Sequence, residues 1–117
     1  MADILVVSNH FSTRIAYTAA LSGYGYEVAE AQSVPEAQTM LRQGVYPRAI
    51  VVDVKLSPAA REAYLEFTAL FPANERPALI IIGGEENAHL VEDMADIFLA
   101  RPVELHDLIG SVQQYIA

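Results

Sequence analysis

The sequence predicts an α/β fold, a doubly wound parallel sheet with helices packed on both faces, and two observations carry that prediction. Short apolar runs rich in Val and Ile recur at 4–7, 49–54, 78–82 and 97–100, with a weaker one at 26–31, and the strongest are continuous rather than alternating. A strand apolar on both faces must be covered on both, which is the condition of a parallel sheet between helical layers. The segments between and after these runs carry apolar residues at helical spacing, so strands and helices alternate five times. A length of 117 residues fits one domain, 1–117, around one core.

Each helix has its own signals. In the first, Phe11, Ile15 and Ala19 fall at i, i+4 and i+8. In the second, Val34, Ala37, Met40 and Leu41 make one stripe, Ser33 and Glu36 form a capping box, and Gly44 suits the left-handed position after the last turn. The third opens with Ser57 as N-cap and Pro58 in the first turn, carries Ala60, Tyr64, Phe67 and Phe71 on one side, and stops before Pro72. The fourth is brief, with Leu90, Val91 and Met94 after Asn87 as cap. The fifth repeats Leu105, Leu108, Ile109, Val112 and Ile116 on one face.

Composition excludes several functions. With 53% apolar and 19% charged residues the chain is too apolar for disorder. Absence of cysteine removes disulfides, thiolate zinc sites and cysteine nucleophiles, and fits a reducing, cytoplasmic setting. The run at 4–7 is too short for an export signal or a membrane span. A net charge of −8, with the seven basic residues scattered, repels nucleic acid and anionic lipid, so neither is expected as a partner. His10, His89 and His106 have no metal-ligand spacing; His10 alone borders the strand ends, where a histidine can sense pH. Gly23 and Gly25 lie between a helix and a strand, the reverse of a dinucleotide fingerprint, and there is no GxSxG elbow or P-loop, so an enzyme is not expected.

In an open parallel sheet, ligands gather at the carboxyl ends of the strands. There the sequence places Ser8, Asn9 and His10, then Asp53 and Lys55, then Gly83, Gly84, Glu85 and Glu86, and finally Arg101. Asp53, between Val52 and Val54, must be partly desolvated, which requires a cation, a metal or several N–H donors; Arg101 is the obvious cation. From the residues alone, a strand-end acid satisfied by neighbouring backbone is the plainer interpretation.

Several stretches together resemble the receiver domain of bacterial two-component response regulators, over essentially the whole chain. Ile4-Leu5-Val6-Val7 looks like its first strand, Gly25-Tyr26-Glu27-Val28 like the opening of its second, and Ala49-Ile50-Val51-Val52-Asp53 like the third with its phosphate-accepting aspartate. Arg101-Pro102 resembles the Lys-Pro pair after strand five. The spacing agrees: 45 positions separate Ser8 from Asp53, and 30 separate Asp53 from Gly83. The resemblance implies a flavodoxin-like five-stranded sheet in the order 2-1-3-4-5, flanked by five helices, with Asp53 central on the active edge.

The same resemblance exposes what is missing. Ser8 and Asn9 stand where receivers carry the two acids that hold Mg2+, leaving Asp53, the Asn9 amide oxygen and the Lys55 backbone carbonyl as ligands for at most a weakly held ion. Gly83 replaces the hydroxyl that contacts the phosphoryl group, Gly84 keeps only a backbone N–H for phosphate, and Arg101 replaces the lysine. Phe98 occupies the switch-aromatic position and reads as a core ring under the fifth helix. Gly83 to Arg101 spans only 18 positions, so the fourth helix is shortened by about one turn. The resemblance places partner binding, by a histidine kinase, a downstream effector or a second copy, on the face made by helix four, strand five and helix five, where Leu90 and Tyr115 are candidate exposed contacts. Arg101 can hold Asp53 in place of metal and phosphate, giving an interaction module independent of phosphorylation. The alternative is a working phosphoacceptor, modified at Asp53 by a histidine kinase with weak Mg2+ support.

Overall fold

The computed structural model describes residues 2–116. Its strands form where the Val and Ile runs stand: β1 (Ile4–Ser8), β2 (Val28–Ala31), β3 (Ala49–Asp53), β4 (Ala78–Gly83) and β5 (Ile97–Ala100). All pair in parallel in the order β2-β1-β3-β4-β5. Helices α1 (Phe11–Ser22), α2 (Val34–Arg42), α3 (Pro58–Ala69) and α4 (Leu105–Tyr115), with a 3-10 segment at Glu85–Leu90, supply the five helical segments of the flavodoxin-like fold. A further 3-10 turn, Ala73–Glu75, leads into β4.

Two-residue alternation along the strands divides the core in two. Leu5, Val7, Ile50, Val52, Leu79 and Ile81 face Ala37 and Leu41 of α2 and Tyr64 and Phe67 of α3. Ile4, Val6, Ala49, Val51, Ile80 and Ile82 face Tyr17 and Leu21 of α1 and Leu108, Ile109 and Val112 of α4. This alternation positions the site. Ser8 and Asp53, in register with one another, continue the α1/α4 face to the carboxyl edge, whereas Gly83 continues the α2/α3 face.

Helix ends follow local chemistry. The Ser33 and Ser57 hydroxyls accept from the N–H groups of Glu36 and Ala60, at 3.2 and 3.1 Å. The reciprocal half of the expected capping box is displaced by one residue: the Glu36 carboxylate accepts from the Gln32 N–H at 3.1 Å rather than from Ser33. Gly44, at φ +98°, takes the left-handed conformation expected after α2.

Three expectations fail in detail. In α1 the buried face is Arg14, Tyr17 and Leu21, while Phe11 is 68% exposed and Ile15 is exposed as well. Two of the inward positions, Arg14 and Tyr17, carry apolar stems and polar tips that find partners at the sheet edge, which hydrophobic spacing alone does not register. The fourth helical segment begins at Glu85 with Gly84 at its cap position, so Asn87 lies inside it, and it is a 3-10 helix throughout. A bidentate pair, Arg61 Nη1 and Nη2 to Asp93 Oδ1 and Oδ2 at 2.5 and 2.8 Å, ties α3 to the turn that follows, and Arg61 Nη1 also donates to the Leu90 carbonyl at 3.0 Å. The Arg61 guanidinium holds the Asp93 carboxyl below its ordinary value. Finally, Phe98 packs on the α2/α3 side rather than under α4, because its register partner is Ile81 and paired residues share a face. Leu90 is likewise packed against that core and only partly exposed, whereas Tyr115 is exposed.

Candidate functional site

At the carboxyl edge a cleft of about 810 Å3 is lined by Asn9, His10, Thr13, Tyr17, Asp53, Val54, Lys55, Arg101, Pro102 and Val103. Its floor is Asp53, which ends β3 and is 6% exposed. A carboxylate so placed loses most of its water and must be compensated.

The compensation comes from two sides. From α1, the Tyr17 hydroxyl donates to Asp53 Oδ2 at 2.6 Å. From the end of β5, Arg101 Nε donates to Asp53 Oδ1 at 3.0 Å, and Arg101 Nη2 makes a close ion pair with the same oxygen. Arg101 is anchored by its N–H, which donates to the Gly83 carbonyl at 3.0 Å, and its peptide bond to Pro102 is cis. Both carboxylate oxygens are therefore engaged by donors from the protein. Burial first, and then the adjacent Asp53 carboxylate, push the Tyr17 phenol well above its ordinary value, so it is held as a proton donor.

Ser8 is buried beside Asp53, and its hydroxyl accepts from the His10 N–H at 3.2 Å. The Ser8 carbonyl accepts from Arg14 Nη1 at 2.8 Å, and Arg14 Nε donates to Glu30 Oε1 at 3.1 Å, which fixes the start of α1 against β1 and β2. Asn9, His10 and Lys55 lie at the exposed rim.

Across the sheet, the space beside Gly83 is filled. A Cβ there would lie 2.6 Å from Leu56 Cδ1, 3.0 Å from Leu56 Cγ and 3.6 Å from Phe98 Cε1. Above Gly84 the corresponding space is taken by the Glu86 carboxylate. The Glu86 carboxylate beside Gly84 is like charge to any anion bound there.

The donor set does not fit a resident Mg2+. A hard divalent cation requires carboxylates and waters in near-octahedral array. Here the single carboxylate in the cleft already holds Tyr17 and Arg101, and the remaining charged groups, Lys55 and Arg101, are cations. Among the described residues no three His, Asp, Glu or Cys side chains gather as a metal-binding group.

The structure thus brings Ser8, Asn9, Asp53, Lys55 and Arg101 to one edge, and Gly83, Gly84 and Phe98 to the neighbouring β4–β5 edge. Sequence reasoning missed Tyr17 and Arg14. Their signal was the spacing of Arg14, Tyr17 and Leu21 at i, i+3 and i+7, which a stripe of apolar residues alone overlooks.

Tyr64, on the other face, is also raised above its ordinary value, chiefly by burial and then by the Asp53 charge, and its hydroxyl has no hydrogen-bond partner among the described residues. Both phenols favour the protonated form in the fold, so the unfolded chain releases these protons first. The stability they contribute is intact below about pH 10, the ordinary tyrosine value, and falls as pH rises beyond it. Phenolate absorbance should therefore be the same in Tyr17→Phe/Tyr64→Phe and in the unsubstituted protein up to the alkaline unfolding transition, and differ only above it.

Comparison with solved structures decides the fold. A response-regulator receiver domain protein from Clostridium thermocellum superposes with a TM-score of 0.82 at 25% identity, covering 99% of this chain and 94% of that one. The chain has the response-regulator receiver fold. Receiver domains of Bermanella marisrubri (TM-score 0.80, 21% identity, 97% of each chain) and the chemotaxis protein CheY4 of Vibrio cholerae (0.77, 18%, 99% of each) share it. No family model matches the sequence, and no curated protein does. No helix among the described residues of this receiver fold is long and apolar enough to cross a membrane.

Proposed function

We propose that residues 1–117 are a single receiver-like signalling domain of the two-component kind that acts as a protein-interaction module without phosphorylation. The observation that carries this reading is the engagement of both Asp53 oxygens, by Tyr17 on one side and Arg101 on the other. A phosphoacceptor carboxylate needs one oxygen free for in-line attack and metal-assisted neutralisation of the transferring group. In this chain the guanidinium takes the place that metal and phosphoryl group share.

The other positions support the same reading, each through a different part of the mechanism. Ser8 and Asn9 supply no carboxylate for a metal, and the Lys55 carbonyl has no acidic companions other than Asp53 in the cleft. Gly83 has no hydroxyl, and Leu56 fills the space such a side chain would need. Gly84 lies beside the Glu86 carboxylate, like charge to a phosphoryl group, and Phe98 packs as an apolar ring instead of reporting on a phosphate. We assign partner binding, whether to a kinase, to an effector or to a second copy in the cytoplasm, to the face formed by Glu85–Leu90, β5 and α4. The short 3-10 segment pinned by Arg61 and Asp93 gives this face a different outline from one built on a full helix.

Incubation with acetyl phosphate and MgCl2 tests the reading. The expected outcome is an unchanged intact mass after prolonged exposure. A single added phosphoryl group, lost in Asp53→Asn, would establish Asp53 as a working phosphoacceptor and overturn the proposal.

A further inference from the structure

The opposite, amino-terminal edge of the sheet holds a second groove, of about 780 Å3, remote from Asp53 along the strands. Four pieces of chain enclose it: residues 46–48 entering β3, residues 70–72 leaving α3, residues 74–77 entering β4, and the end of α4 at Tyr115 and Ile116. Its walls are aromatic and proline-rich. Tyr46, 58% exposed, stands edge-on to Phe71 with ring centroids 5.9 Å apart, while Pro47 and Pro77 are buried in the floor and Pro72 lies at the rim.

The charges around this groove differ from those elsewhere on the molecule. Arg14, Arg42, Arg61 and Arg101 each face a carboxylate, those of Glu30, Glu66, Asp93 and Asp53 respectively. Arg48 and Arg76, by contrast, are exposed, and their side chains have no hydrogen-bond or ion-pair partner among the described residues. They stand at the entrances of two adjacent strands, where the Arg48 carbonyl accepts from the Ala78 N–H at 3.0 Å. Among the described residues, Glu75 is the one carboxylate in the groove wall. Asp96 borders the smaller adjoining hollow beside Arg48 and Arg76; its Oδ2 accepts from the Leu79 N–H at 2.7 Å, and it makes no ion pair with either arginine.

We propose that this groove docks an acidic, proline-containing extended segment of another protein. Two guanidinium forks bind carboxylates directionally. Prolines in the wall have no N–H, and Arg48 and Arg76 are the cationic donors the groove offers an anionic ligand. Exposed aromatic rings beside them form the kind of surface on which polyproline-type segments lie. A chain of net charge −8 repels acidic partners at long range, so unpaired arginines concentrated at one groove select where such a partner can land. The same net charge disfavours a nucleic acid, whose repeated phosphates need a longer basic track than two arginines provide.

The experiment is fluorescence anisotropy with a labelled peptide of repeated Glu-Glu-Pro. Saturable binding is expected, weakened at least tenfold in Arg48→Gln/Arg76→Gln and in Tyr46→Ala, and unchanged in Lys55→Ala, which removes a cation from the opposite edge. Absence of saturable binding overturns the proposal. So does an equal loss in Lys55→Ala, or equal affinity for a single-stranded oligonucleotide or for a Lys-Lys-Pro peptide. Because the side chains of Arg48 and Arg76 have no hydrogen-bond or ion-pair partner among the described residues, Arg48→Gln/Arg76→Gln should melt with the unsubstituted protein.

Discussion

Replacing Arg101 by alanine lowers the free energy of unfolding by about 2–3 kcal/mol, the cost of leaving a nearly buried carboxylate without its cation. Asp53 is 6% exposed and Arg101 is 45% exposed, so water enters from the arginine side and the loss falls short of that for a fully enclosed pair. The remaining Tyr17 hydroxyl donates to one oxygen only. Substituting Asp53→Asn in the Arg101→Ala background then recovers part of the loss, since a neutral amide does not require a cation. Urea denaturation of the four proteins in this cycle gives the coupling energy directly. A coupling near zero would mean that the pair does not hold the site.

The second large effect lies across the sheet. Gly83→Thr, which installs a hydroxyl of the kind receivers carry, lowers stability by about 1–3 kcal/mol, because its Cβ meets Leu56 in a filled core. Shortening Leu56 to alanine opens a cavity and is costly alone, yet in the double variant the threonine occupies part of that space, so the two costs are less than additive. Thermal or urea unfolding measures the difference. Strict additivity would show that Leu56 is not what excludes a side chain at position 83.

Much of this molecule was legible because the sheet is covered on both faces. Continuous Val and Ile runs gave the strand positions, and the hydroxyl caps at Ser33 and Ser57 fixed two helix starts. The pairing of Asp53 with Arg101 was also foreseeable, since a desolvated acid at a strand end calls for the nearest cation. Apolar spacing misled in α1, where Arg14 and Tyr17 turn inward because their polar tips reach Ser8, Glu30 and Asp53, partners that exist only once the chain has folded. The segment after β4 was hard to read for a related reason. Its few apolar residues fit one short turn of either helix type, and the bidentate tie from Arg61 to Asp93 is a contact between distant parts of the chain that no local pattern records. Phe98 was placed on the wrong face because sequence gives the alternation of a strand but not which of its faces meets which helix.

Tyr17 and Arg101, donors from the protein itself, engage both oxygens of Asp53 in the cleft. Amide NMR spectra recorded through a Mg2+ titration, followed by addition of beryllofluoride as a phosphoryl mimic, test this engagement most directly. Unchanged resonances for Asp53, Gly84 and Arg101 at millimolar Mg2+, with and without beryllofluoride, are the predicted result. Saturable shifts centred on those residues would contradict it and show that Arg101 and Tyr17 yield the carboxylate to metal and phosphate.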